Sequence, residues 1–408
     1  MSYQFRQRCG LAILFASILV GCRGFQIDVV YNDGTEVYLK TIAPDIETAT
    51  LSSGMPHAQA TSTVVELIPT DIPTIQNWDE STSVPFDTQS YPSLRGLVYR
   101  KGDEIWKLNE NDQEQYLFDL PEGWIPVLRL SPDGNYLLYT VTRDGNDDIW
   151  ASVLPSGETR NFTKTDHKIE QNPIWWPTDH LRVLYGYFND RSDMTMGYGR
   201  LASIDITGHN DLTSMDEVVL GFFPAPSPDG ETVAFQTNNN AWLYRVDNGL
   251  EAFDAATYGI SVSYYYDASW SPDGKKLAWF ISHEQEGQKY FSLAIFDLEI
   301  KRSEILHSYI SAGCSWYRTP LLWSPDGEWI TFKEYCPEGG QDSRLLLLEV
   351  NGQEVIDISQ MSGPVWKDAI TLAYHRAGGI WLFHLDERRQ ERISGIENAS
   401  IIGWIPSE

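Results

Sequence analysis

Three observations predict an all-β chain folded as a β-propeller of four-stranded antiparallel blades. A short turn, Ser-Pro-Asp-Gly, recurs in phase along the chain; an aliphatic residue two places before an aromatic one follows each copy; and aromatic residues are abundant, with 15 Trp and 21 Tyr in 408 residues. Aromatic and β-branched side chains suit pleated, half-buried strands, and strand repeats in this size range stack into propellers.

The turn comes first because it sets the phase. Its clear copies are Trp270-Ser271-Pro272-Asp273-Gly274, Trp323-Ser324-Pro325-Asp326-Gly327, Leu130-Ser131-Pro132-Asp133-Gly134 and Pro226-Ser227-Pro228-Asp229-Gly230. Weaker copies are Trp176-Pro177-Thr178-Asp179-His180, Trp366-Lys367-Asp368 and Trp404-Ile405-Pro406-Ser407. Proline presets φ, aspartate tolerates the third turn position and glycine accepts positive φ at the fourth, so the motif joins two antiparallel strands.

The strand after each turn carries Leu137 and Tyr139, Val183 and Tyr185, Val233 and Phe235, Leu277 and Trp279, Ile330 and Phe332, or Leu372 and Tyr374. A period of two places each pair on one buried face. The same pair appears early as Leu97 and Tyr99, with no turn ahead of it, so its missing first strand is sought at the far end, near 401–404. That reading gives seven blades with one split between the termini; six blades plus an unrelated first hairpin is the alternative. Closing the ring with the C-terminal strand hides sheet edges that would otherwise invite aggregation.

Residues 1–21 read as a signal peptide. Arg6 and Arg8 precede an apolar run at 11–20, too short to span a bilayer as a helix, which ends in Leu19-Val20-Gly21-Cys22. These four residues resemble the lipobox of bacterial lipoproteins, and the resemblance implies a lipid attached to Cys22, an extracytoplasmic location and partnership with a membrane. Residues 22–90 are read as a polar, largely disordered tether, with one hairpin around Asn32-Asp33-Gly34; from Pro44 to Tyr91 the chain is rich in Ser, Thr, Pro and Asp and has no basic residue. The propeller is assigned to 91–408.

The Ser-Pro-Asp-Gly turn, its following strand and the segment Asp144-Gly145-Asn146-Asp147-Asp148-Ile149-Trp150 resemble the TolB-like, WD-like propeller repeat over about residues 95 to 406. The resemblance implies fold and not activity, because propellers host both enzymes and scaffolds. The TolB family places an α/β domain ahead of its blades, and 23–90 is too short and polar to be one. Similar blades also precede the hydrolase domain of prolyl-oligopeptidase-like peptidases. With no Gly-x-Ser-x-Gly elbow, and with blades running to residue 408, a serine hydrolase is not expected.

Other chemistry is sparse. The net charge of −27 repels nucleic acid. The turn aspartates Asp133, Asp229, Asp273 and Asp326 sit in a contiguous Ser-Pro-Asp-Gly run, whereas the Asp box of sialidases spaces Ser, Asp and Gly by alternate residues, and they read as turn formers. The run Asp144 to Asp148 starts like an EF-hand loop but has Ile149 where a Gly is required, and reads as a hairpin. The histidines lack paired spacing, so neither a metal nor another cofactor is expected.

The loops between second and third strands share one face with the connections between blades. On that face Tyr264, Tyr265 and Tyr266, and then Trp316, Tyr317 and Arg318, form a candidate surface for a protein, peptide or glycan, since Tyr, Trp and Arg dominate recognition patches. The plainer reading makes some of them core residues at the start of an inner strand. Hairpin register around the turn at 324–327 brings Cys314 and Cys336 close to opposite one another, which makes a disulfide there an expectation outside the cytoplasm, contributing about 2–4 kcal/mol. The sequence therefore reads as a monomeric, non-catalytic binding protein or scaffold. The alternative is a glycan-active enzyme, to be recognised by two carboxylates about 5 to 10 Å apart at the channel mouth.

Overall fold

The computed structural model describes residues 26–32, 36–42 and 94–405, excepting 155, 167, 193–198, 206–212, 221–223, 238–239, 247–248, 311–320, 337–340, 353 and 360–361. The chain divides into two units, Met1–Pro69 and Thr70–Glu408. In the first, strand Gln26–Asn32 pairs antiparallel with Glu36–Ile42, from Gln26 opposite Ile42 to Asn32 opposite Glu36.

The second unit is a β-propeller. Among its described residues are five four-stranded antiparallel sheets and one of eight strands. The eight-stranded sheet is two four-stranded sets, 128–161 and 169–220, joined where Asp147 meets Ile169 in a parallel bridge. The sheets at 225–253, 264–310, 322–359 and 362–397 follow in chain order. In the remaining sheet the order is Ala399–Trp404, Leu97–Lys101, Glu104–Leu108 and Glu114–Asp119, so its first strand comes from the C-terminal end of the chain. Leu97 lies opposite Trp404 and Lys101 opposite Ala399.

The aliphatic–aromatic pairs hold this arrangement. All are at most 3% exposed, and each pair faces the sheet before its own. Leu277 and Trp279 pack against Leu243 and Phe253, Ile330 and Phe332 against Phe280 and Leu293, and Leu372 and Tyr374 against Leu345 and Ile358. The residue between the members of a pair points the other way: Leu138 packs towards Tyr185, and Ala278 towards Ile330. The second strand is therefore buried on both faces, and period-two alternation supplies two interfaces at once. Leu97 and Tyr99 pack against Ile380 and Leu382, so the last sheet meets the first.

Tryptophan adds a polar tie to these apolar contacts. Nε1 of Trp270 donates to the Ala225 carbonyl (2.8 Å), that of Trp323 to Ser269 (3.2 Å) and that of Trp366 to Leu322 (3.4 Å), each crossing to the inner strand of the preceding sheet. In the 169–220 set the donor is Trp175, which reaches the Arg129 carbonyl at 3.1 Å. The repeat pattern points to Trp176 instead. A bulge between the two tryptophans turns Trp176 towards Val233 and Phe235, and the tie passes to Trp175.

The turn chemistry is the same in all four clear copies. The serine Oγ accepts the backbone N–H five residues on at 2.9 Å and donates to the aspartate at 2.5 to 2.6 Å. The aspartate accepts the N–H two residues beyond itself. The glycine takes φ between 70° and 74°, where a side chain would be strained. Ser and Asp thus satisfy polar groups that the turn would otherwise bury, which accounts for both residue types.

Candidate functional site

The end of the blades opposite these turns carries the longer loops. There the strand Tyr264–Trp270 starts with Tyr264 opposite Ser282 and Tyr265 opposite Ile281, and a register shift follows before Ala268. Alternation separates the three tyrosines. Tyr265 is 6% exposed, sits edge-on to Trp279 and Phe253, and belongs to the core between the 225–253 and 264–310 sheets. Burial pushes its hydroxyl up to about 12, against the opposing effect of a hydrogen bond from the Ala255 backbone. Tyr264 and Tyr266 face the other way, half-buried, with ring centroids 4.7 Å apart. Tyr266 also lies 6.1 Å from Phe291, and its carbonyl accepts from Trp279 Nε1 at 2.8 Å, which fixes the backbone beneath the pair.

Trp316, Tyr317, Arg318, Cys314 and Cys22 lie outside the described residues. Cys336 ends the strand Trp329–Cys336, opposite Gln341, and its side chain likewise lies outside the description.

The same end holds a polar cleft at the joint of the eight-stranded sheet. Asp144 and Gly145, at φ 52° and 83°, form the two-residue turn between Arg143 and Asn146, a hairpin as Asp-Gly chemistry requires. Asp144, Gly145, Asn146, Asp166, Ile169, Asp190 and Arg191 surround a cavity of about 350 Å³. Arg191 reaches across it, 3.8 Å from Asp147 and 3.3 Å from the Gly145 carbonyl. Among the described residues no three His, Cys, Asp or Glu side chains are grouped to hold a metal ion.

Beneath the cleft lies a residue that sequence reasoning missed. Glu170 is 1% exposed beside the parallel bridge and accepts from Thr165 Oγ1 at 2.9 Å and Thr163 Oγ1 at 3.3 Å. Burial raises its carboxyl to about 7; the threonine bonds oppose the rise, and the nearby charge of Asp148 adds to it. Asp148 accepts from the Thr165 backbone and from Asn161, while Gln171 donates to Asp147 at 2.9 Å. The joint is a buried polar network in which Asn146 Oδ1 and Asp147 Oδ1 lack a hydrogen-bond partner. Chemically it can exchange a proton near neutrality, but its depth keeps substrates away.

No family model matches the chain, and no curated protein matches it significantly. Many solved structures match in shape. The chain is similar to a prolyl endopeptidase structure (TM-score 0.53, 14% identity, covering 76% of this chain and 49% of that one). It is also similar to an oligogalacturonate lyase in complex with manganese (0.51, 18% identity, 68% and 81%). At these identities the likeness concerns the propeller fold alone. TolB from Acinetobacter baumannii is a looser match (TM-score 0.44, 14% identity), and the chain covers 66% of it.

Proposed function

We propose that the protein is a lipid-anchored, extracytoplasmic binding protein or scaffold that presents the loop face of a seven-bladed, TolB-like propeller to a partner. The observation that carries the binding reading is the Tyr264–Tyr266 pair, partly exposed on a backbone anchored by Trp279, with Tyr266 resting on the core beneath. Large amphipathic rings held in place and open to water concentrate binding energy at low entropic cost.

The blade count is supported by interfaces that run through consecutive sheets and return to the first. The anchor is supported by the charged start, the apolar run and Cys22. In this reading the chain is a monomer carrying a disulfide between Cys314 and Cys336, and it needs no cofactor.

A glycan-active enzyme is the second reading, favoured by one observation: Thr163 Oγ1 lies within hydrogen-bond reach of both Glu170 and Asp148, which places two carboxylates close together. The 1% exposure of Glu170 weighs against it. The binding reading is tested by affinity capture from envelope extracts with the full chain and with a Tyr264→Ala/Tyr266→Ala variant. Partners captured by the former and lost by the latter are expected. Identical captures would refute a role for this pair.

A further inference from the structure

Spacing within the repeat leads from Tyr264 to a second aromatic residue. Tyr264 stands seven residues before Ser271, and Trp124 stands seven before Ser131. The backbone agrees with the count. Tyr264 pairs with Ser282 and Trp124 with Thr142, and both partners lie eleven residues beyond their turn serine. The two aromatic residues occupy one rung in two copies of the repeat.

Trp124 is 66% exposed, yet its loop is tightly held. Its N–H donates to the Thr142 carbonyl at 3.1 Å, and its carbonyl accepts from Thr142 at 3.0 Å. Arg143 Nε donates to the Glu122 carbonyl at 3.2 Å, and Arg100 Nη1 to that of Ile125 at 3.0 Å. Ile125 is buried. Gly123, at φ 140°, runs so close to the neighbouring strand that a Cβ there would meet Val141 Cγ1 at 2.6 Å. The indole is thus a pre-ordered apolar surface in water, and covering it with a ligand would be favourable at little entropic cost.

The surroundings narrow what that is. A polyanion is opposed by the net charge of −27. A polycation finds at most one uncompensated acid nearby: Glu122 and Asp144 flank Arg143, and Asp103 is taken by Arg100 at 2.8 Å. An added peptide strand would need unpaired backbone groups, but those of Trp124 and the carbonyls of Glu122 and Ile125 already have partners. What remains is an open aromatic face with little local net charge, with exposed Glu122 and Asp144 close to it in the chain and in the hairpin. An uncharged ring with one apolar face and a rim of hydroxyl groups matches that combination.

We propose that Trp124 is the stacking platform of a neutral-glycan site on the loop face, with Glu122 and Asp144 accepting from sugar hydroxyls. The assignment deepens the loop-face reading and rests on it.

The test is calorimetric titration of the detergent-solubilised full chain with chitotetraose and cellotetraose, alongside tetragalacturonate and a lysine-rich peptide. Saturable binding of a neutral tetrasaccharide is expected. Trp124→Ala should weaken it roughly tenfold or more, Trp124→Phe should retain most of it, and neither should change the melting temperature, because the side chain is exposed. Neutral-sugar binding that survives Trp124→Ala but is lost in Tyr264→Ala/Tyr266→Ala overturns the Trp124 assignment and leaves the loop-face reading standing. Binding of a charged probe alone, or of no probe, overturns the neutral-glycan class.

Discussion

The two ends of the blades obey different rules. At the turn end, four copies of Ser-Pro-Asp-Gly make the same hydrogen bonds to within about a tenth of an ångström, and the serine hydroxyl and one aspartate oxygen of each are spent on the turn itself. At the loop end the two-residue hairpins at 144–145, 286–287 and 377–378 repeat, but what surrounds them differs: one stitches two sheets through Asp147 and Ile169, and the connections between sheets expose Trp124 in one place and lead into the stacked Tyr264 and Tyr266 in another. Repetition here marks what the fold requires, while departures from the repeat mark residues free to meet a partner. A recurrent aspartate is therefore poor evidence of chemistry, and an unrepeated exposed indole is better evidence.

This contrast can be broken by substitution, starting with the largest expected effect. Removing residues 401–408 takes most of the strand that pairs with Leu97–Lys101, so the loss should be at least ~5 kcal/mol, comparable with the stability of a whole domain. Calorimetry should show loss of cooperative unfolding; an unchanged melt would refute the split sheet. Next, Tyr265→Ala should cost about 3–5 kcal/mol because a core aromatic is deleted, whereas its neighbour Tyr264→Ala should stay within about 0.5 kcal/mol in denaturant titrations.

The joint should announce itself through pH. Glu170 takes up its proton more readily folded than unfolded, so its stabilising effect is complete below the unfolded value of 4.5 and is lost as pH rises through about 7. The swing is on the order of 3 kcal/mol. Chemical denaturation across that window should show the decline in the native protein and a flatter profile in Glu170→Gln. Smaller than the Tyr265 loss, Ser324→Ala leaves the Trp329 N–H without its bond and Asp326 with only the Glu328 N–H, and should cost about 1–3 kcal/mol with no change in partner capture.

The turn end was legible in the sequence because its physics is local. Proline, aspartate and glycine act within a few residues of one another, and Leu277 and Trp279 declare their face by alternation alone. The split sheet was legible too, since Leu97 and Tyr99 lacked a turn and Trp404 lacked a following strand. The joint was not, because the bridge from Asp147 to Ile169 and the burial of Glu170 depend on how two sheets meet. Trp175 was missed because a bulge shifts register by one residue between identical side chains. Trp124 lay outside every strand pattern, although its distance from Ser131 equals that of Tyr264 from Ser271. Among the tyrosines the sequence offered three candidates, and alternation with a fixed inner face separates Tyr265 from the other two.

The most direct test of the contrast is site-specific photo-crosslinking in living cells, with the crosslinker placed in turn at Trp124, Tyr264 and Tyr266 on the loop end and at Lys275 and Glu328 on the turn end. Adducts to a partner from the loop-end positions, with none from the turn end, are the predicted result. Adducts confined to Lys275 and Glu328 would contradict it.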